Sequence, residues 1–288
     1  NVYVDGTNGD DANTGADTEH AVKTLEHALN LVADDGVIYI CDTVTVDSDL
    51  TVTEAVIQRA EDFTGRLISV TGEDTELILA GTTIDGQKGT EKKVSYLVYV
   101  GDGATVNMED GTSLVNNNET AVYVDNGGAF TMEGGEISGN TGSVWAGGIQ
   151  NCGGTVNLKG GEIKNNTAFQ GGGVVTAYGG TTVLDGASIT GNTAEKDGGG
   201  VYVQGATSGT SVFEMRSGTI SGNNSSYFGG GIAALYHTSD VKVKVSGGTI
   251  ENNTARRDGA AISLEGENEK YPSMELSGSP TISGSVFL

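Results

Sequence analysis

Apolar residues recur with a period of two inside short runs of this chain, as in Val122 and Val124 around Tyr123, or Phe130 and Met132 around Thr131. Such alternation marks half-buried strands, because a helix would space its apolar positions three or four apart. The runs themselves also recur. "SGNTGSVWAGGIQ" from Ser138, "NNTAFQGGGVV" from Asn165, "TGNTAEKDGGGVYV" from Thr190, "SGNNSSYFGGGIAA" from Ser221 and "ENNTARRDGAAISL" from Glu251 are variants of one unit. A repeat array must be read as such before any single motif is weighed.

The anchor of the unit is an asparagine, at Asn117, Asn140, Asn166, Asn192, Asn223 and Asn253, with successive intervals of 23, 26, 26, 31 and 30 residues. An aliphatic residue stands three positions earlier, at Leu114, Ile137, Ile163, Ile189, Ile220 and Ile250, and again at Ile282, where Ser285 takes the Asn place. A loop then leads to glycines and a strand starting at Val122, Ile149, Val174, Val201, Ile232 or Ile262. A further strand ends at Met108, Met132, Leu158, Leu184, Met215, Val245 or Leu276. Each unit is therefore a coil of about three short strands with a variable circumference. The 47 glycines argue against helix as well, at about 1 kcal/mol each in a helix interior.

One such coil cannot bury its inward face. Stacked coils can, with continuous apolar columns and backbone pairing at about 4.8 Å. In that arrangement the glycines serve sharp turns, and each Asn hydrogen-bonds to its counterparts one coil above and below. The predicted fold class is all-β: a parallel β-helix of three short strands per coil and about nine coils, with an N-terminal capping helix.

The cap is predicted within residues 21–33, where Val22, Leu25, Ala28, Leu29 and Val32 fall at helical spacing. It closes an N-terminal region, residues 1–36, that also holds a first strand and a polar loop. Irregular opening coils follow over 37–96 and regular coils over 97–288, all in one continuous domain. The chain stops at "TISGSVFL" with no comparable cap, so the natural protein is expected to continue, and Asn1 begins abruptly enough to suggest a mature or excised segment.

Charge narrows the setting. Against 15 basic residues stand 38 acidic ones, for a net charge of −23, which disfavours nucleic acid or an anionic membrane surface as partner. The sequence carries no membrane-spanning run and no signal peptide. Cys41 and Cys152 are several coils apart, so a disulfide between them is not expected. No Walker loop, GxSxG, HExxH or paired CxxC occurs.

At the level of motif, "GGxIxxNxAxxxGGGVxV" resembles the right-handed parallel β-helix repeats of bacterial secreted and cell-surface proteins with a pectin-lyase-like fold. It is also similar to the GGA-I repeats of chlamydial polymorphic outer-membrane proteins, although their FxxN element is absent here. The opening "VYVDGTNGDDANTGADTEHAVKTLEHAL" resembles the start of many such domains. The resemblance covers nearly the whole chain and implies a right-handed coil, an extracellular or cell-wall-attached location, and a function chosen among lyases, glycosidases, adhesins and spacers.

Candidate chemistry must then come from outward positions. Glu109, Glu133, Lys159, Asp185 and Arg216 align as one charged column and Glu214, Lys244 and Glu275 as another, both readable as solvated ladders of alternating sign. On the face after the glycines the outward columns are Tyr99, Tyr123, Gln150, Val175, Tyr202, Ala233 and Ser263, and beside them Gly101, Asp125, Cys152, Ala177, Gln204, Leu235 and Glu265. Neither contains the adjacent carboxylates that glycoside hydrolysis usually needs. The loops after the Asn positions are richer. Trp145, Phe169, Tyr227, Phe228, Arg256 and Arg257 should emerge from one corner as a ridge, with aromatic faces suited to sugar rings and arginines suited to a carboxylate or sulfate; the alternative is loop tips that shield the bend. Lengthening loops in the last coils put His237 and Glu265 at the rim of a possible cleft as catalytic candidates. Asp5, Asp10 and Asp11 lie in a segment dense in oxygen ligands, which leaves a Ca²⁺ site open beside an Asx-turn loop; no other cofactor is expected.

Two function classes remain. The first is a non-catalytic extracellular module, an adhesin or glycan-binding stalk, with a host or dietary glycan or a cell-surface polysaccharide as partner and no membrane insertion. The second is a carbohydrate-active enzyme, glycoside hydrolase or polysaccharide lyase, a class in which lacto-N-biosidase-like β-helix proteins have similar repeats.

Overall fold

The aliphatic columns read from the sequence are the register of the fold. In the computed structural model, which describes residues 1–87, 89, 94–205, 209–267 and 269–288, Leu114, Ile137, Ile163, Ile189, Ile220, Ile250 and Ile282 stand directly opposite one another on successive parallel strands. Met108, Met132, Leu158, Leu184, Met215, Val245 and Leu276 form a second column. Val122, Ile149, Val174, Val201, Ile232 and Ile262 form a third. Apart from Ile282 and Leu276 in the last coil, all of these side chains are buried in one continuous core. The chain is thus a parallel β-solenoid of about nine turns with three strands per coil. Each buried aliphatic side chain contributes about 1.5–3 kcal/mol relative to exposure, which no isolated coil could collect.

Two of the three faces belong to one 18-stranded sheet and the third forms a 10-stranded sheet. The first two merge because Thr181–Thr190 and Ser211–Ser221 run unbroken around the corner between them, with irregular register near Asp185. That bulge corrects the first charged column. Asp185 faces Ser217, whose Oγ donates to it at 2.9 Å, and Arg216 instead pairs with Glu214 at 2.8 Å. The pairing of Lys159 with Glu133 at 2.7 Å holds, as does the Glu214, Lys244, Glu275 register. The loops after the Asn positions are themselves paired: Thr167–Ala168, Thr193–Ala194, Asn224–Ser225 and Thr254–Ala255 make a small 4-stranded sheet.

Each Asn of the anchor series is buried at its bend. The Asn192 Oδ1 accepts from the Asn166 backbone N at 3.0 Å and from Asn166 Nδ2 at 3.1 Å, while Asn192 Nδ2 donates to the Ile163 carbonyl at 2.9 Å. The same set recurs from Asn140 to Asn253. At the N-terminal end the ladder starts on Asn117, whose Oδ1 accepts from the buried Arg59 guanidinium at 3.2 Å. At the other end it stops at Asn253. Ser285 is exposed and accepts from the Ala260 N, because only four residues separate Ile282 from Val286 (286 − 282) where twelve separate Ile250 from Ile262 (262 − 250), leaving no loop to form the bend.

The residue before each ladder Asn sits in the left-handed region: Asn116, Asn165 and Asn252 at φ 54, and Gly139, Gly191 and Gly222 at φ 69, 63 and 64. Only Gly and, among other residues, chiefly Asn take this conformation cheaply, which accounts for the recurring "NN" and "GN" pairs.

The helix is shorter than the sequence pattern predicts. It covers Leu25–Leu31, with Thr24 Oγ1 accepting from the His27 N as its N-cap. Val22 is instead strand-like, bridged to Val4, and Asp11 Oδ1 accepts from the backbone N of Lys23 and of Thr24, which holds the segment extended up to the cap. Leu25 and Ala28 are buried, and Leu29 and Val32 pack partly against the core. The helix borders Thr45–Leu50 and Thr51–Val56, whose strands have no partner on their N-terminal side, so it covers that edge.

Replacing Asn192 by Leu strands the Asn166 donors and the Ile163 carbonyl inside the stack. At about 1–3 kcal/mol per unmet buried group, chemical denaturation should register a loss of about 3 kcal/mol or more. At the preceding type of position, Asn165→Gly should leave stability within about 0.5 kcal/mol, whereas Asn165→Val, β-branched at positive φ, should cost about 1–2 kcal/mol in the same assay.

Candidate functional site

The loops after the Asn ladder rise in strict register. Trp145 bridges to Gln170, and the backbone N of Gly171, Gly198 and Gly229 donates to the carbonyls of Asp197, Phe228 and Asp258, which sets Trp145, Gln170, Asp197, Phe228 and Asp258 in one column. One residue earlier, Val144, Phe169, Lys196, Tyr227 and Arg257 form a parallel column linked in the same way. The predicted ridge is therefore a physical surface, with Phe169 42 % and Tyr227 39 % exposed.

Its aromatic and basic groups are not equivalent. Arg257 lies over the Tyr227 ring at 4.6 Å and near Phe228 at 5.9 Å, and Phe228 stacks on Phe287 at 6.2 Å. Arg256 is exposed and outside both columns. Trp145 is four coils away, about 19 Å at the interstrand spacing, and belongs to a different feature.

That feature is a groove on the outer face of the third sheet. The ridge folds back over this face through Gly171, Gly198, Gly229 and Gly259, all at φ 60 to 72. A Cβ on any of them would press into Val175, Tyr202, Ala233 or Ser263 at 2.3 to 2.8 Å, so the first glycine of each triplet serves a left-handed turn and a close approach together. Under this cover Val175, Ala177, Tyr202 and Ala233 form a second, small apolar cluster against which Trp145 and Leu235 pack.

Toward the N-terminal end the groove opens into a cavity of about 360 Å³ lined by Val94, Ser95, Tyr96, Glu119, Ser143, Val144, Trp145 and Gln150. Tyr96 stacks on Tyr123 at 4.7 Å and Tyr123 on Tyr99 at 5.7 Å, while Trp145 meets Tyr178 tilted at 5.8 Å. Arg66 covers the Tyr99 ring at 4.1 Å, and Tyr99 Oη donates to Asp125 at 2.6 Å. Glu119 is buried, its carboxylate accepting from the Ser143 N at 3.0 Å and Ser143 Oγ at 2.7 Å. Burial, and then the Glu119 charge, hold the Tyr96 hydroxyl above its usual range; burial also pushes up Tyr123. These phenols stay protonated and serve as donors.

The C-terminal end is polar in another way. The buried Asp197 carboxylate accepts from Gln170 Nε2 at 3.2 Å, from the Phe228 N at 3.3 Å and pairs with Lys196 at 3.3 Å. Burial, and then the Asp197 charge, push the Glu265 carboxyl up to about 7. The other rim candidate, His237, is exposed and bonded to Glu267 at 2.6 Å.

Asp5, Asp10 and Asp11 do not converge. Asp5 accepts from the backbone N of Thr7 and Asn8, Asp10 from that of Ala12, and Asp11 from those of Lys23 and Thr24, each holding its own turn. Among the described residues no group of three His, Cys, Asp or Glu is placed to hold a metal. Cys41 and Cys152 are free thiols, Cys152 buried.

Sequence reading placed Trp145 on the site but missed Tyr96, Glu119 and Ser143, which come from other coils. The available signal was the run of tyrosines at 96, 99 and 123, whose outward direction follows from the strand period. Comparison with protein-family models, curated proteins and solved structures returns no match. A functional reading therefore rests on this geometry.

A carboxyl whose folded-state value lies above its unfolded value binds its proton more tightly when folded, so Glu265 weighs against the fold once pH exceeds about 7 and not below about 4.5. Glu265→Gln should raise Tm at pH 8 and leave it unchanged at pH 4, as read by calorimetric scans.

Proposed function

We propose that the chain is a non-catalytic glycan-binding module of an extracellular or cell-wall-attached protein, and that the groove at Trp145 is its principal site. The supporting observation is the composition of the cavity: the faces of Trp145 and Tyr96 beside hydrogen-bonding groups from Gln150 and Ser143. A pyranose ring has apolar C–H faces and a hydroxyl rim, so it needs this mixture. Glu119 and Asp125 border the groove while Arg66 is engaged on Tyr99, which favours an uncharged sugar over a uronate or sulfate. Arg256 and Arg257 lie too far along the ridge to serve the same ring.

The catalytic alternative has weaker support. Hydrolysis requires a second carboxylate free to activate water or attack, and Asp197, the acid acting on Glu265, has its oxygens occupied by Gln170, Lys196 and the Phe228 N. No helix of the described residues is long and apolar enough to cross a membrane.

The test is a neutral glycan array followed by titration. Trp145→Ala and Tyr96→Ala should each weaken binding by about 1–3 kcal/mol with little change in Tm, while Arg256→Ala should be silent. Unchanged affinity in both aromatic variants, or product release from any bound glycan, would refute the reading.

A further inference from the structure

Polar atoms without partners gather at the far end of the same groove. Among the described residues Tyr202 Oη and Gln204 Oε1 are buried atoms that make no hydrogen bond. Buried polar groups are satisfied in the great majority of cases, so such a cluster points to a missing partner. Tyr202 projects outward from one strand; Gln204 leads its neighbouring column, followed by Leu235 and then Glu265 on successive coils. Gln204, Leu235 and Glu265 are all half-buried, so this second column borders solvent where the first is roofed by the ridge. Glu265 makes no ion pair among the described residues, and its charge and that of Asp197 both act on the Tyr202 hydroxyl, which puts the three groups around one point.

We propose that Tyr202, Gln204 and Glu265 form a second sugar subsite at the C-terminal end of the groove, occupied only while Glu265 carries its proton. The proposal rests on the reading that the chain binds glycans. A protonated Glu265 and Tyr202 supply donors and Gln204 Oε1 an acceptor, the set that two adjacent hydroxyls of a sugar satisfy, and Leu235 offers an apolar floor for the C–H face. The ionised carboxylate has no donor to give and repels no less from Asp197, so deprotonation removes the site. Around Glu265 the charged groups are Asp197, Lys196 and Asp258 on the ridge, and on the opposite loops His237 bonded to Glu267 and Lys270 over Tyr236 at 5.5 Å. Only Asp197 and Lys196 act on it appreciably, and in opposite directions.

Lactose, cellobiose, maltose and N,N′-diacetylchitobiose, titrated calorimetrically at pH 5.5 and pH 8.5, test this. In the Trp145→Ala protein, where the first site is disabled, residual binding should be about 30-fold weaker at pH 8.5, since that pH lies about 1.5 units above the Glu265 midpoint. Adding Glu265→Gln, which keeps a neutral donor, should retain binding at both pH values, and Tyr202→Phe should weaken it at both. Equal residual affinity at the two pH values, or a pH dependence that survives Glu265→Gln, overturns the proposal. Complete loss of binding in Trp145→Ala also overturns it and leaves the glycan reading intact, whereas wild-type protein that binds none of the four sugars overturns both. A Tm within a few degrees of wild type in each variant excludes unfolding as the cause.

Discussion

The hydrogen bond from each bend asparagine to the next coil is the constraint on which the rest of this structure depends. Each buried Asn satisfies a backbone donor of the preceding coil and a carbonyl of the preceding strand, so it fixes where the chain turns and how far it rises. A buried turn without that partner would leave backbone groups unmet at about 1–3 kcal/mol each. Because every bend is pinned at the same place, the loop that follows can vary in length without disturbing the aliphatic columns. The ridge and the groove are consequences: loops launched from a fixed point in each coil must stack in register.

What the sequence made legible follows from this constraint. The columns of Ile, Val and Leu, the Asn ladder and the aromatic ridge each depend on a repeating offset within one coil, and repetition exposes such offsets without knowledge of the fold. The features it concealed break the repeat or span coils. The bulge at Asp185 moved Arg216 out of its column, the shortened last coil removed Ser285 from the ladder, and Val22 was drawn from the helix into a bridge with Val4. The groove's lining is of the second kind. Tyr96, Glu119 and Trp145 are separated in sequence by most of a coil each, and only the stacking of successive turns brings them to one cavity.

The groove also depends on the glycines that puzzle a reader of the linear chain. Strand residues favour β-branched neighbours, yet each third-face strand is preceded by glycines. The first turns left-handed and lies on the outward side chain of its own or the next coil; the following two admit the carbonyls of the coil above at 2.5 to 2.7 Å from where a Cβ would stand. A side chain there would lift the ridge off the sheet. Architecture and site therefore share the same residues, and a triplet that looks like flexible linker is the hinge on which the roof of the groove sits.

Charge is distributed unevenly along this stack. Residues 1–150 carry 26 acidic and 6 basic groups, a balance of −20 (6 − 26), and residues 151–288 carry 12 and 9, a balance of −3 (9 − 12). Stacking places like side chains about 4.8 Å apart, so an acidic column repels itself at every step unless a base intervenes. The bases that do intervene, Lys159 against Glu133 and Lys164 between Glu136 and Glu162, stand where the balance changes. Such exposed pairs add little stability singly, about 0–1 kcal/mol, but each interrupts a run of repulsion. The N-terminal coils lack this relief and are held by core burial and the bend ladder alone. The cavity at Trp145 lies at the edge of that acidic half, which is a physical reason for its ligand to be uncharged: an anion would meet the summed field of the coils before reaching Tyr96 or Gln150.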